Sequence, residues 1–249
     1  MNIRKFKEGG VFFDFDSTLA ENSQLSTAST IFAFQKVFGI ILDPNEYDLL
    51  NMRFSESIPE IMKDKNMDFD LNNLETKVQE IMKYKRAFTA NSENYSLISL
   101  APGAVELLDF LKKNRILIGL VSNGYQTNIE KLLINLKIIT YFDSIKAESD
   151  ISFQKPSHVP ILDTFRKLAE LQKISFEVFV QMPSIMVGDS INKDGGAVIN
   201  YNNFCQDINS FNPMKFALVD LNDPESEQNP AGCDYYLGGD LRNLIQLLD

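Results

Sequence analysis

The chain has 249 residues, 44% of them hydrophobic, with two cysteines and a formal net charge of −10. That is enough chain to bury a full core, in one large domain or two smaller ones. The acidic balance speaks against a surface that seeks nucleic acid or anionic membrane, although a local site for a small phosphorylated metabolite can be positive on an acidic protein. No apolar run reaches the length of a bilayer, and MNIRKFKEGG does not read as a secretory leader. Cys205 and Cys233 have neither metal-ligand spacing nor the density of a disulfide framework, so a reduced, cytoplasmic setting is the simplest expectation.

The first element is Val11-Phe12-Phe13, a continuous apolar run that predicts a strand buried on both faces. It ends in Asp14-Phe15-Asp16. Carboxylates two residues apart in extended chain share a face, repel each other, and call for a cation. Alone, Asp16-Ser17-Thr18 reads equally well as a turn or a helix cap. From about Ala20 to Leu100 the patterns are helical: Gln24 to Phe38, Pro44 to Asn51, Ser55 to Lys65 and Leu71 to Ala90, with a polar break from Asp64 to Asp70. Phe32, Phe34 and Phe38 read as the core of this block.

From about Pro102 strands and helices alternate. A helix on Ala104, Leu107, Leu108 and Leu111 precedes a strand from Ile116 to Val121. Helices follow on Ile129 to Leu136 and Ile161 to Ala169. Short strands fall at Ile185 to Val187 and Phe216 to Val219, and an amphipathic helix closes the chain over Leu241 to Leu248. This order predicts a doubly wound, Rossmann-like parallel α/β sheet with an inserted helical domain. The expected division is residues 1–20 and 100–249 for the core and 21–99 for the insertion. The polar stretch from Asn200 to Pro213 reads either as an irregular surface excursion or as a contact with another subunit.

In open α/β sheets ligands bind beyond the carboxyl ends of strands, and polar residues gather there. Asp14 and Asp16 follow the first strand. Ser122, Asn123 and Gly124 follow the second, and Gly188 and Asp189 follow the third, with Asp194 five residues on. Gln154-Lys155-Pro156 opens a helix between the last two. Each piece alone is an ordinary turn or cap; their order is much less ordinary.

Asp14-Phe15-Asp16-Ser17-Thr18-Leu19, Ser122-Asn123, Lys155-Pro156 and Gly188-Asp189 with Asp194 resemble the four motifs of the haloacid dehalogenase superfamily in its phosphatase branch. The helical insertion resembles the cap of the subfamily that includes phosphoglycolate phosphatases and β-phosphoglucomutases. The resemblance implies a Mg²⁺-dependent phosphatase acting on a small phosphomonoester, as a monomer or homodimer. Asp14 would be the nucleophile and Asp16 the acid and base. Mg²⁺ would be held by the Asp14 carboxylate, the Asp16 backbone carbonyl and the Asp189 carboxylate. Ser122, Asn123 and Lys155 would bind or frame the phosphoryl group, with Thr18 and Asp194 supporting from behind. In the cap, Arg53 and Lys85 are the candidates for reading the rest of the substrate. A phosphomutase of the same fold and a non-catalytic binding protein are the alternatives.

Two departures stand out. Ser17 occupies a position where many members of this cap subfamily have glycine, and the motif then reads like that of phosphoserine phosphatases. Those enzymes place a glutamate nine residues past the nucleophile, where this chain has Ser23. His158, the single histidine, reads as a solvated or hydrogen-bonded side chain at a helix start.

Overall fold

The computed structural model describes residues 9–50, 52–147, 152–221 and 230–248. The chain divides into two compact units: Asn22–Ile98, and the segments up to Glu21 and from Ser99 onward.

The second of these is built on a six-stranded sheet, every pair parallel. Its strands are β1 (Gly10–Phe13), β4 (Leu117–Ser122), β5 (Ser144–Ala147), β6 (Ser184–Gly188), β7 (Lys215–Leu218) and β8 (Tyr235–Tyr236), in the order β5-β4-β1-β6-β7-β8. β1 is central, with Phe13 opposite Leu120 on one side and Val187 on the other. Burial on both faces explains why β1 has no polar alternation. The strand order reverses beside β1, so the carboxyl ends of β1, β4 and β6 open on the crevice where such sheets bind ligands.

Helices α4 (Ala104–Lys113), α5 (Gln126–Asn135), α6 (Val159–Gln172), α7 (Phe176–Phe179), α8 (Gly196–Cys205) and α9 (Arg242–Leu248) accompany the sheet. The core on the α6 side centres on Phe165, whose ring stacks on Phe12 at 4.6 Å and Tyr201 at 4.9 Å and meets Phe179 edge-on at 5.3 Å. Gly119 permits this packing. A β-carbon there would come within 2.7 Å of Thr164 and 2.9 Å of Phe12.

The other unit is helical: α1 (Ser23–Phe38), α2 (Phe54–Asp64) and α3 (Leu74–Ala90), the last preceded by a 3₁₀ turn over Leu71–Asn73. Its core gathers Ala33, Phe34, Ile58, Ile61, Met62 and Ile81, with the Phe34 ring tilted against those of Phe38 and Phe54. Two short strands, β2 (Ala20–Glu21) and β3 (Ser99–Leu100), pair antiparallel where the chain leaves and re-enters the sheet unit.

Several sequence expectations need correction. The helix expected over Pro44 to Asn51 is absent among the described residues, which turn instead. The Asp43 carboxylate accepts the Asn45 N–H at 2.8 Å, an Asx turn that competes with helix formation. The stretch from Asn200 is not irregular throughout, because α8 continues to Cys205 with Tyr201 and Cys205 buried. β5 and β8 carried too few apolar residues to be foreseen, one at the sheet edge and the other only two residues long.

Truncating Phe165 to alanine removes three ring contacts at once, and we expect a loss of about 3–5 kcal/mol in urea unfolding. A loss below about 1 kcal/mol would mean that this cluster is not the centre of the core.

Candidate active site

The site begins with the Asp14 backbone N–H, which donates to Val187 O at 2.9 Å and carries the β1–β6 pairing one residue past the strand. The Asp14 carboxylate is thereby fixed at the sheet end, almost fully buried. The next turn closes through Ser17 N–H to Ala20 O at 2.9 Å, with Ser17 at φ 57°. That left-handed conformation explains why glycine suits the position, since a β-carbon there costs roughly 1–2 kcal/mol. Thr18 is completely buried, and its Oγ1 has no hydrogen-bond partner among the described residues.

Lys155 reaches this point from the loop before α6. Its ammonium lies 2.5 Å from Asp14 Oδ1 and 2.6 Å from Asp194 Oδ1, and donates to Val121 O at 2.8 Å. Two of its N–H groups have hydrogen-bond acceptors, Asp14 Oδ1 and Val121 O, while Asp194 Oδ1 is held as an ion-pair partner and accepts no hydrogen bond among the described residues. All three side chains are less than a tenth exposed. Burial alone would lower the Lys155 pKa, but Asp14 and Asp194 more than offset it and the net shift is upward. Asp14 is pushed well above the usual carboxylate range, first by burial and then by the charges of Asp194, Asp16 and Asp189, against the pull of Lys155. The ammonium is therefore held charged while the nucleophile-candidate carboxylate is not fully compensated.

Asp194 sits in a π turn, Ile191–Gly195, directly behind β6. Its Oδ2 accepts the Ser190 N–H at 3.1 Å, and its own N–H donates to Ser190 O at 2.8 Å. Gly188 makes room for it: a β-carbon there would fall 2.4 Å from the Asp194 carboxyl carbon. Asp189 opens to solvent at its carboxylate yet is crowded on its other sides. That crowding and the charge of Asp194 push it up to about 6. A cavity of about 380 Å³ lined by Ser17, Asp189, Ser190 and Asn192 lies on this open side.

The loops carrying Ser122 and Lys155 are tied by amides. Asn123 Oδ1 accepts the Lys155 N–H at 2.8 Å, and Asn123 Nδ2 donates to Lys155 O at 3.0 Å. The Asn123 side chain is thus spent on the loop, leaving its backbone N–H for any phosphoryl group. Gln154, which sequence reasoning passed over as ordinary loop, donates from Nε2 to Asn123 O at 3.0 Å. Its place directly before Lys155-Pro156 was the available signal. Ser122 Oγ accepts the Gly124 N–H at 3.0 Å, so its own proton remains to be donated.

Carboxylate oxygens of Asp14, Asp189 and Asp194 all lie within 4.8 Å of one another. With Asp16, whose charge also acts on Asp14, they make four carboxylates in a centre with one buried ammonium, a hard-oxygen donor set with charge left to neutralise. That chemistry fits a divalent cation such as Mg²⁺.

Three further candidates belong to other elements. In the helical unit, Arg53 caps α2, is largely exposed, and pairs with Glu56 at 3.5 Å. Lys85 lies on α3 against Thr30 and Phe54. His158, in the sheet unit, is half-buried at the start of α6 and stacks on Phe204 at 4.7 Å.

An acidic centre of this kind, at the switch point of a doubly wound parallel sheet, defines a class, and comparison with known proteins gives that class its family. The family model described as haloacid dehalogenase-like hydrolase matches residues 11–200, well over half the chain and every residue of the centre. The chain belongs to the haloacid dehalogenase-like hydrolases. It is 26% identical over 191 residues to a glyceraldehyde 3-phosphate phosphatase of Methanothermobacter thermautotrophicus, covering 74% of this chain and 78% of that one. Its structure is similar to a subfamily IA, variant 1 hydrolase of the haloacid dehalogenase superfamily from Geobacter sulfurreducens. The TM-score is 0.64 and the identity 17%, over 97% of this chain and 96% of that one. It is also similar to CbbY from Rhodobacter sphaeroides in complex with phosphate, with a TM-score of 0.62 and 20% identity over 95% and 98% of the two chains. At such identities the structural likeness speaks for the fold.

Gly188→Ala should drive Asp194 off the sheet end and reduce turnover at least tenfold, measured as steady-state kcat. Unchanged kcat would mean that Asp194 does not need this seat. Ser17→Gly should raise Tm slightly by relieving the left-handed strain; a clear fall would show that the Ser17 side chain contributes more than the strain costs.

Proposed function

We propose that the protein is a Mg²⁺-dependent phosphatase that hydrolyses a small phosphomonoester through an aspartyl-phosphate on Asp14. The observation that carries this reading is the buried Asp14–Lys155–Asp194 chain of charges, with Asp189 beside it, at the end of the central strand. A merely structural core gains little from such a cluster, since desolvating each ion costs several kcal/mol. The phosphatase name of the Methanothermobacter relative points the same way.

The residues divide the reaction as follows. An Asp14 carboxylate oxygen attacks phosphorus and the bond to the ester oxygen breaks. Asp16 gives its proton to the departing alkoxide, and the alcohol leaves. Esterified Asp14 is then a poorer acceptor, which releases a Lys155 N–H towards a phosphoryl oxygen. Ser122 Oγ–H and the Asn123 backbone N–H serve the other oxygens. Asp16, now ionised, takes a proton from the water that attacks the phosphoaspartate, and inorganic phosphate leaves with Asp14 restored. Mg²⁺ would be held by the Asp14 and Asp189 carboxylates and the Asp16 carbonyl, and when bound supplies positive charge for the phosphoryl oxygens. Asp194 holds Lys155 in line, and Thr18 supports the Asp16 turn.

The groups of the sheet unit deal only with the phosphoryl group and the ester oxygen. We assign the choice of leaving group to the helical unit as a cap, with Arg53 and Lys85 as its candidate readers. The partner is a small phosphorylated metabolite, with neither nucleic acid nor membrane involved, in a cytoplasmic setting; no helix among the described residues is long and apolar enough to cross a membrane.

Phosphate release from a panel of phosphomonoesters, with Mg²⁺ or EDTA, tests the reading. Asp14→Asn should abolish Mg²⁺-dependent release, by at least about 10³-fold. Asp16→Asn should cost about 10²–10⁴-fold for alkyl esters and much less for p-nitrophenyl phosphate, whose leaving group needs no proton. Absence of release from every ester by folded wild type would sink the proposal.

The direction of the Asp14 shift also predicts a stability effect. With its folded pKa above the unfolded one, this group's contribution is present at acid pH and lost as pH rises through the folded value. In EDTA at neutral pH, Asp14→Asn should therefore have a Tm equal to or above wild type. A drop of several degrees would show that the Lys155 pairing outweighs the repulsion.

A further inference from the structure

The helical unit, taken by itself, holds a cation without a counter-ion. Its other basic side chains include three that find carboxylates: Arg53 with Glu56, Lys65 with Glu46, and Lys77 with Glu80. Lys85 does not. Its ammonium donates to Thr30 Oγ1 on α1 and lies 5.4 Å from the centre of the Phe54 ring at the start of α2. Among the described residues no carboxylate comes within ion-pair distance of it, in a chain with 34 acidic residues.

Thr30 does not neutralise the charge. Its hydroxyl proton is donated to Ser26 O at 3.0 Å, so it offers Lys85 only a lone pair. Thr30 is completely buried, and burial pushes Lys85 down to about 8. The ring of Phe54 attracts a cation at this distance only weakly beside the cost of desolvation. Two of the three ammonium N–H groups have no partner among the described residues. Leucine or methionine would fill this seam between α1 and α3 without that cost.

We infer that Lys85, Thr30 and Phe54 form a binding site for a small oxyanion, a carboxylate or phosphoryl group, supplied from outside the chain. A charge-assisted hydrogen bond to a half-buried ammonium is the strong kind. The identity of the donor rests on the phosphatase reading. If the oxyanion is borne by the substrate, the substrates are phosphomonoesters with a second anionic group; otherwise it is a free carboxylate or phosphate that acts as an effector.

Binding is measured first, because it needs no turnover. Full-length wild type and Lys85→Met, which keeps the reach and loses the charge, are titrated with phosphonoacetate, ethylphosphonate and malonate in Mg²⁺, and their Tm values are compared. Lys85→Gln replaces the methionine variant if that one fails to fold. A substrate-borne oxyanion should make phosphonoacetate bind wild type at least tenfold tighter than ethylphosphonate, and the variant should lose that ratio. The ratio of kcat/KM for phosphoglycolate over ethyl phosphate should collapse in parallel. A free effector should instead give Lys85-dependent malonate binding with no preference between the two phosphonates. If neither preference nor malonate binding depends on Lys85, the proposal is overturned. Failure to hydrolyse any ester, p-nitrophenyl phosphate included, would count against the phosphatase reading alone, since the titrations still decide the oxyanion site.

Discussion

The structure turns on one buried ammonium. Lys155 sits at the end of the central strand between Asp14 and Asp194, and also donates to the Val121 carbonyl. Attraction between unit charges near 4 Å is about 4 kcal/mol at an effective dielectric of 20. Desolvation of each ion costs a comparable amount, so the cluster adds little to net stability. Removing Lys155 is another matter, because it strands two buried carboxylates. The sheet therefore has to deliver three side chains from β1, the α6 loop and the β6 turn to one point with little tolerance.

Much of the surrounding architecture serves that delivery. Gly188 has no side chain because Asp194 occupies its space. Asn123 and Gln154 clamp the Ser122 and Lys155 loops together through three amide hydrogen bonds. The Phe165 stack holds α6 against β1, and the Lys155 loop leads directly into that helix. The site is thus rigid on the side of the ammonium and open on the side of Asp189, where a cavity begins.

The sheet and its site were legible to different degrees. β1, β4 and β6 announce themselves because strands buried on both faces must be uniformly apolar, and the polar residues at their ends mark the crevice. The Asx turn at Asp43 and the continuation of α8 into a polar segment were misread because local hydrogen bonding and one buried face decided them, not periodicity. Four carboxylates could be counted in the sequence. That Lys155 is paired with two of them and bonded to a carbonyl is a matter of three-dimensional distance. Lys85 shows the same limit, because a lysine on a helix looks solvated until the facing helix is found to offer a hydroxyl instead of a carboxylate.

The register of the central strand has a consequence for how the molecule comes into being. Gly10 lies beside Leu117 and beside Ser184, so both flanking strands are made more than a hundred residues after it. During synthesis the apolar β1 and its terminal Asp14 emerge first and must wait, unpaired, while the helical segment and then β4 leave the ribosome. Contacts of such sequence separation are slow to close. A nascent chain that stops short of β6 has the nucleophile candidate without Asp194 and an apolar strand with one edge open. The chain is therefore exposed to aggregation until β6 is made, and its chemistry becomes possible only once Asp194 has followed.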